Sequence, residues 1–267
     1  MSRTDSLARR GARLVRLLWL FVVVLVLIGI AMVMRRMLSL FGVISTTSTL
    51  SGSASLDAAF TRHAPLTMLH ILPGLLFVVC GPLQFVKTLR TRKPRMHRRI
   101  GYIVLASGLV TGVTALVMTT QMAIGGATEK AATAFFGVVF LVALARAFAC
   151  IRRRRVALHR EWMIRAFSLG LAVATIRPIV GVFFATQGFT RLTPREFFGI
   201  AFWLGFTIHL IAAEAWINHT RVPQLRVQPD LPTASARERT LAMADSQVDG
   251  DHTVLMQLGN GPNIQRH

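Results

Sequence analysis

Six apolar runs, each about long enough to cross a lipid bilayer, constrain this chain more than anything else in it: residues 17–34, 66–86, 100–121, 131–151, 162–184 and 197–217. A membrane-crossing helix needs about 20 mostly apolar residues. Hydrocarbon offers no water to backbone amides, so each run has to satisfy its own hydrogen bonds as a helix. The expected fold is all-α, a six-transmembrane-helix bundle over residues 17–217. A basic stretch at 1–16 precedes it, and a mostly disordered tail at 218–267, rich in Pro, Ser, Asp and Gly, follows. The first run outlasts the roughly 7–15-residue core of a signal peptide and ends in MVMRRMLSLF, so it reads as an uncleaved span. Composition agrees: 53% of residues are hydrophobic and 16% charged, against about a quarter charged in soluble domains.

The net charge is +20. Its distribution points to membrane topology and to anionic lipid headgroups rather than to nucleic acid. The stretch before the first span, the 87–99 connection, the 152–160 connection and the flank of the last span hold 19 lysines and arginines, and the other side holds 6. The excess puts both termini in the cytoplasm. Arg35 and Arg36 run against the trend. The long polar connection 35–65 lies on the outer side and is expected to be partly helical near Leu56–Phe60, while Thr193-Pro194 reads as a cap and first turn for the sixth helix. Cys80 and Cys150 fall in or beside apolar runs and read as packed thiols, not as a disulfide framework.

Aligned on their His-Arg pairs, RKPRMHRRIGYIVLASGLVTGVTAL and RRRRVALHREWMIRAFSLGLAVATI both give a basic loop, then His-Arg, then a span with small residues. His97 and His159 are 62 positions apart, and Ser107-Gly108 falls near Ser168 and Gly170. This reads as a parallel hairpin repeat.

Ionisable groups within spans are costly, roughly 2.5–3.5 kcal/mol each on insertion scales, and are the default functional candidates. They are His70, Arg146, Arg165, Arg177, His209 and Glu214. His70 and Arg177 lie at similar depth towards the outer side, each followed by a proline, Pro73 and Pro178, that frees a carbonyl one turn back, on Leu69 and Ala174. Together they outline a pocket for an anionic or carbonyl-bearing ligand, with His70 the expected partner of Arg177. His209 sits near mid-bilayer. Arg146, Arg165 and Glu214 cluster near the inner boundary and read as a structural ion pair. At the inner surface His97, Arg98, His159 and Arg160 can contact anionic groups, lipid phosphates first.

The motifs HILPGLLFVVCGPLQFV, MHRRIGY and HREWMIRAFSLGLAVATIRP resemble bacterial predicted membrane proteins of the domain-of-unknown-function 2306 family over roughly residues 60–215. The resemblance implies a multi-pass helical protein of the bacterial inner membrane without an established activity. It adds Gln84, in the Gly81–Phe85 run, to the ligand candidates His70, Arg177 and His209. No Walker loop, HExxH, CxxC or nucleophile elbow is present, so no reaction is assigned. Nor does the sequence name a metal or an oligomeric state. Three function classes stand. Histidines on several spans raise a haem b or quinone protein, although bis-histidine haem needs two imidazoles facing across the iron and the histidine depths fit that poorly. The span prolines and the repeat raise a small transporter. The third class is a structural or assembly partner without chemistry.

Overall fold

A computed structural model describes residues 3–43 and 53–226. Its helices are α1 (Arg3–Leu40), α2 (Ser53–Arg62), α3 (Ala64–Cys80), α4 (Lys87–Arg92), α5 (Pro94–Met122), α6 (Gly126–Arg152), α7 (Val156–Thr190) and α8 (Pro194–Arg226), with a 3-10 turn at Pro82–Phe85 between α3 and α4. Six stretches are long and apolar enough to cross a membrane: Gly11–Leu40, Ala64–Phe85, Pro94–Met122, Gly126–Arg152, Val156–Thr190 and Pro194–Arg221. All but the second overrun their apolar runs at both ends. Helical hydrogen bonding continues past the hydrocarbon, where basic side chains reach water along their own stems. The connection after α1 is helical at Ser53–Arg62, and Thr67 Oγ1 ties that segment to α3 by donating to the Phe60 carbonyl at 3.1 Å. α8 opens at Pro194, with Thr193 N and Oγ1 both donating to Glu196 Oε2 at 2.8 Å, the glutamate half of a capping box. α8 stays helical to Arg226, past the residue 218 at which a mostly disordered tail is expected. The remainder of that tail lies outside the described residues.

Successive spans run antiparallel. One end, called distal here, carries the connections α1–α3, α5–α6 and α7–α8. The other, called terminal, carries the start of α1, α4 and the Arg153–Arg155 turn. Lipid supplies no hydrophobic drive for helices to associate, so close packing of small residues has to do it. Ala132, Ala143, Ala147, Ala166, Ala172 and Ala201 are all fully buried. Large apolar side chains such as Leu109, Val138 and Ile208 are exposed where lipid would contact them.

At the centre lies Phe77 of α3, 1% exposed, its ring edge-on to Phe140 at 5.4 Å. Gly108 of α5 and Gly170 of α7 flank it. A methyl at Gly108 would meet the Phe77 ring at 2.9 Å, and one at Gly170 would meet it at 2.5 Å, so neither position has room for a side chain. These two glycines are 62 positions apart, the same offset as His97 and His159. The two glycines, one on α5 and one on α7, clasp one aromatic ring between them.

Candidate functional site

The distal half of the bundle holds a half-open cavity of about 540 Å³, walled mainly by apolar side chains of α1, α3, α5, α6, α7 and α8. Phe77, Phe140 and Leu169 line its deep end. Five titratable side chains also line it: Arg35 and Arg36 from α1, His70 from α3, Glu129 from α6 and Arg177 from α7. Its size falls within the roughly 300–1,000 Å³ typical of small-molecule sites.

Each polar group reaches the wall for a local reason. α1 continues unbroken to Leu40, so Arg35 and Arg36 stand on its last turns, with Arg36 over the Phe60 ring at 4.0 Å from the centroid. These two against-the-trend arginines thus belong to the cavity wall. Glu129 lies in the first turn of α6, and its Oε2 accepts from the Gly125 backbone N–H at 2.5 Å. It stays buried because α8 packs closely there: a methyl at Gly199 would meet Thr128 Cβ at 2.6 Å. His70 Nδ1 is 3.0 Å from Thr114 Oγ1. That hydroxyl donates its single proton to the Val110 carbonyl at 2.7 Å, so the ring nitrogen is the donor between them. In the neutral ring Nε2 is left as an acceptor.

Arg177 and His70 line the same cavity, but no hydrogen bond joins them. The expected pairing is corrected: His70 is held by α5 instead, because Thr114 lies within its reach. Arg177 forms no hydrogen bond or ion pair among the described residues, and the charges acting on it are Arg36, Glu129 and Arg35. Three guanidinium groups against one carboxylate leave the described wall net positive. Of the two carbonyls next to prolines, Ala174 belongs to a cavity-lining residue, whereas the Leu69 side chain faces outward.

The other candidates sit elsewhere. His209 is buried away from the cavity, with Nε2 2.7 Å from Thr175 Oγ1 and its carbonyl accepting from Ser168 Oγ at 2.7 Å. Gln84 lies in the 3-10 turn at the terminal end, against Gly101. Neither shares a site with His70. The 3-10 turn that opens at Pro82, just after a Gly81 whose added methyl would overlap the Phe167 ring, carries Gln84 out of the helix line. Arg165 and Glu214 form a two-pronged ion pair, Nε to Oε1 and a guanidinium nitrogen to Oε2 at 2.9 Å. Arg146 does not join them. It lies over Trp162 at 5.6 Å, a ring it shares with Arg165 at 4.7 Å. His97 and His159 supply the backbone N–H for the first i→i−4 bond of α5 and α7, to Lys93 and Arg155. Arg98 is exposed, and Arg160 half-buried.

Glu129, Arg35 and Arg36 escape a search confined to apolar runs, because each lies just outside one. Glu129 had a signal in the sequence: a Gly-Gly pair followed within four residues by a glutamate is a helix start whose carboxylate can turn back to the first amides.

The family described as "Predicted membrane protein (DUF2306)" matches residues 67–217. The chain belongs to that family. No curated protein and no solved structure matches it.

Proposed function

We propose that this member of the family binds a lipophilic molecule with a carboxylate or other acidic head, held in the distal cavity with the head on Arg177. Arg177 carries the reading: a guanidinium with no hydrogen bond or ion pair among the described residues, and Glu129 as the carboxylate acting on it, lines an otherwise largely apolar cavity. A charge in hydrocarbon is retained at a cost of several kcal/mol unless something meets it. The Arg177 guanidinium selects an acceptor, an anion or a carbonyl oxygen, over a cation, and the apolar remainder suits a hydrocarbon body. The His70 arrangement favours a second reading, a quinone-class ligand, because a quinone carbonyl can accept from Arg177 and the corresponding quinol can donate to the free imidazole nitrogen. A bis-histidine haem in this cavity is disfavoured, since His70 is the one histidine on its described wall. The protein acts in the bacterial inner membrane with both termini in the cytoplasm, a proposal that rests on the lysine and arginine asymmetry.

The test is solvent extraction and mass spectrometry of the protein purified in mild detergent, wild type beside Arg177→Gln. Wild type is expected to retain one acid-headed lipophile above its abundance in the bulk lipid, and the variant about tenfold less, the worth of one charge-assisted hydrogen bond. Retention of a quinone instead selects the second reading. Wild type that carries nothing beyond bulk lipid defeats both.

A further inference from the structure

At the terminal end a second polar cluster forms, independent of the cavity. Gln84 in the 3-10 turn presses its amide on α5: a methyl at Gly101 would meet its Oε1 at 3.2 Å. Gly101 stands one helical turn beyond His97, so the amide and the imidazole share one face of α5. Among the described residues two buried side-chain polar atoms are without a hydrogen-bond partner, and they are Gln84 Nε2 and His97 Nδ1. Folded proteins rarely leave such atoms unpaired, and here two of them fall about one turn apart.

Other elements complete the cluster. Arg90 of α4 and His159 of α7 are the charged or titratable groups bearing on His97. His159 Nδ1–H donates to the Ala147 carbonyl at 2.9 Å, which fixes that ring and leaves Nε2 for another partner. Lys87, Arg98, Arg99 and Arg160 lie on the same helices, and Glu161 is the acidic residue among these segments. The excess positive charge repels a metal cation. A group that is anionic and accepts hydrogen bonds on several sides satisfies both the charge and the unpaired donors.

We propose that Gln84, His97, His159 and Arg90 bind one phosphate group at this end of the bundle, carried by a lipid phosphomonoester head or present as inorganic phosphate. The amide and the His97 ring donate to it, Arg90 neutralises it, and the anchored His159 ring accepts through Nε2 from a P–OH of the group. Gln84 and His97 act through this group and not through helix contact alone.

The full chain is placed in phosphatidylcholine nanodiscs with and without phosphatidic acid, and retained phosphatidic acid is counted by native mass spectrometry. Inorganic phosphate is then added as competitor. Gln84→Glu, close in shape and opposite in sign to what a phosphate accepts, is expected to lower retention about tenfold, and His97→Gln severalfold. Arg153→Gln, which removes an exposed charge from the same end, is expected to change it less than about twofold. Displacement by inorganic phosphate assigns the site to the free anion, and resistance to displacement assigns it to the lipid head. The proposal is overturned if Arg153→Gln costs as much as Gln84→Glu, or if neither probe binds. Gln84→Glu should leave retention in the distal cavity unchanged, so the two sites fail separately.

Discussion

At the scale of single residues, position 77 and its two glycines set the packing. The Phe77 ring fills space that a methyl at Gly108 or Gly170 would occupy. Gly170→Ala should therefore destabilise the fold by about 1–3 kcal/mol, the usual cost of overpacking. Adding Phe77→Leu should recover part of that loss, a coupling that only neighbours show. Unfolding in graded detergent, comparing the two single variants with the double, reads it out, and strict additivity would contradict the clasp. The Arg165–Glu214 pair calls for the opposite emphasis. Its carboxylate side chain is 41% exposed, so solvent screens the pair and Glu214→Gln should cost about 1 kcal/mol or less. Arg165→Lys should cost more, because it gives up both the two-pronged geometry and the stacking on Trp162. The same unfolding series checks the order. What the sequence reveals at this scale is which groups are expensive. Arg177, His70 and Glu214 stand out because each breaks an apolar run. Which of them meet is decided by helix rotation, and that depends on close approaches such as Gly108 against Phe77, which have no local signature.

At the scale of elements, α1 is separable from the rest. Leu25 is its one fully buried large side chain among the described residues, and the family match begins only at residue 67. Its last turns nevertheless supply Arg35 and Arg36 to the cavity wall. A chain starting at Ser53 should thus still insert and give helical circular dichroism, while ligand retention in the distal cavity falls about tenfold or more. Loss of insertion would show that α1 is structural first. Helix existence was legible here and helix ends were not. The runs located all six spans, since periodic apolar length is a property of the local sequence. The 3-10 turn was hidden because Gly81–Val86 reads as part of one apolar run; Gly81 is still helical, and Pro82, which has no N–H to continue the ladder, opens the turn. Glu129 was missed for a related reason: α6 begins five residues before its apolar run, at Gly126, and the added turn is the one that brings the carboxylate inward.

At the scale of the whole molecule, charge and cavity make competing demands on α1. The asymmetry of basic residues favours cytoplasmic termini, and Arg35 and Arg36 oppose it from the distal end. If those two arginines were retained for topology, neutralising both should strengthen the existing orientation and change nothing else. If they serve the cavity, Arg35→Gln with Arg36→Gln should leave orientation as it was and lower retention of the bound lipophile severalfold. Orientation is read by a fluorescent protein at the C-terminus, bright only in the cytoplasm, and by alkaline phosphatase inserted after Gly125, active only outside. Replacing Arg152–Arg155 by glutamine supplies the contrast, because it removes charge from the turn that anchors the α6–α7 hairpin. That variant should reduce the amount of correctly inserted protein while the molecules that do insert keep their ligand. An arginine pair whose loss moves orientation and not retention would place Arg35 and Arg36 outside the site, and the acidic-head assignment would then rest on Arg177 beside Glu129 alone.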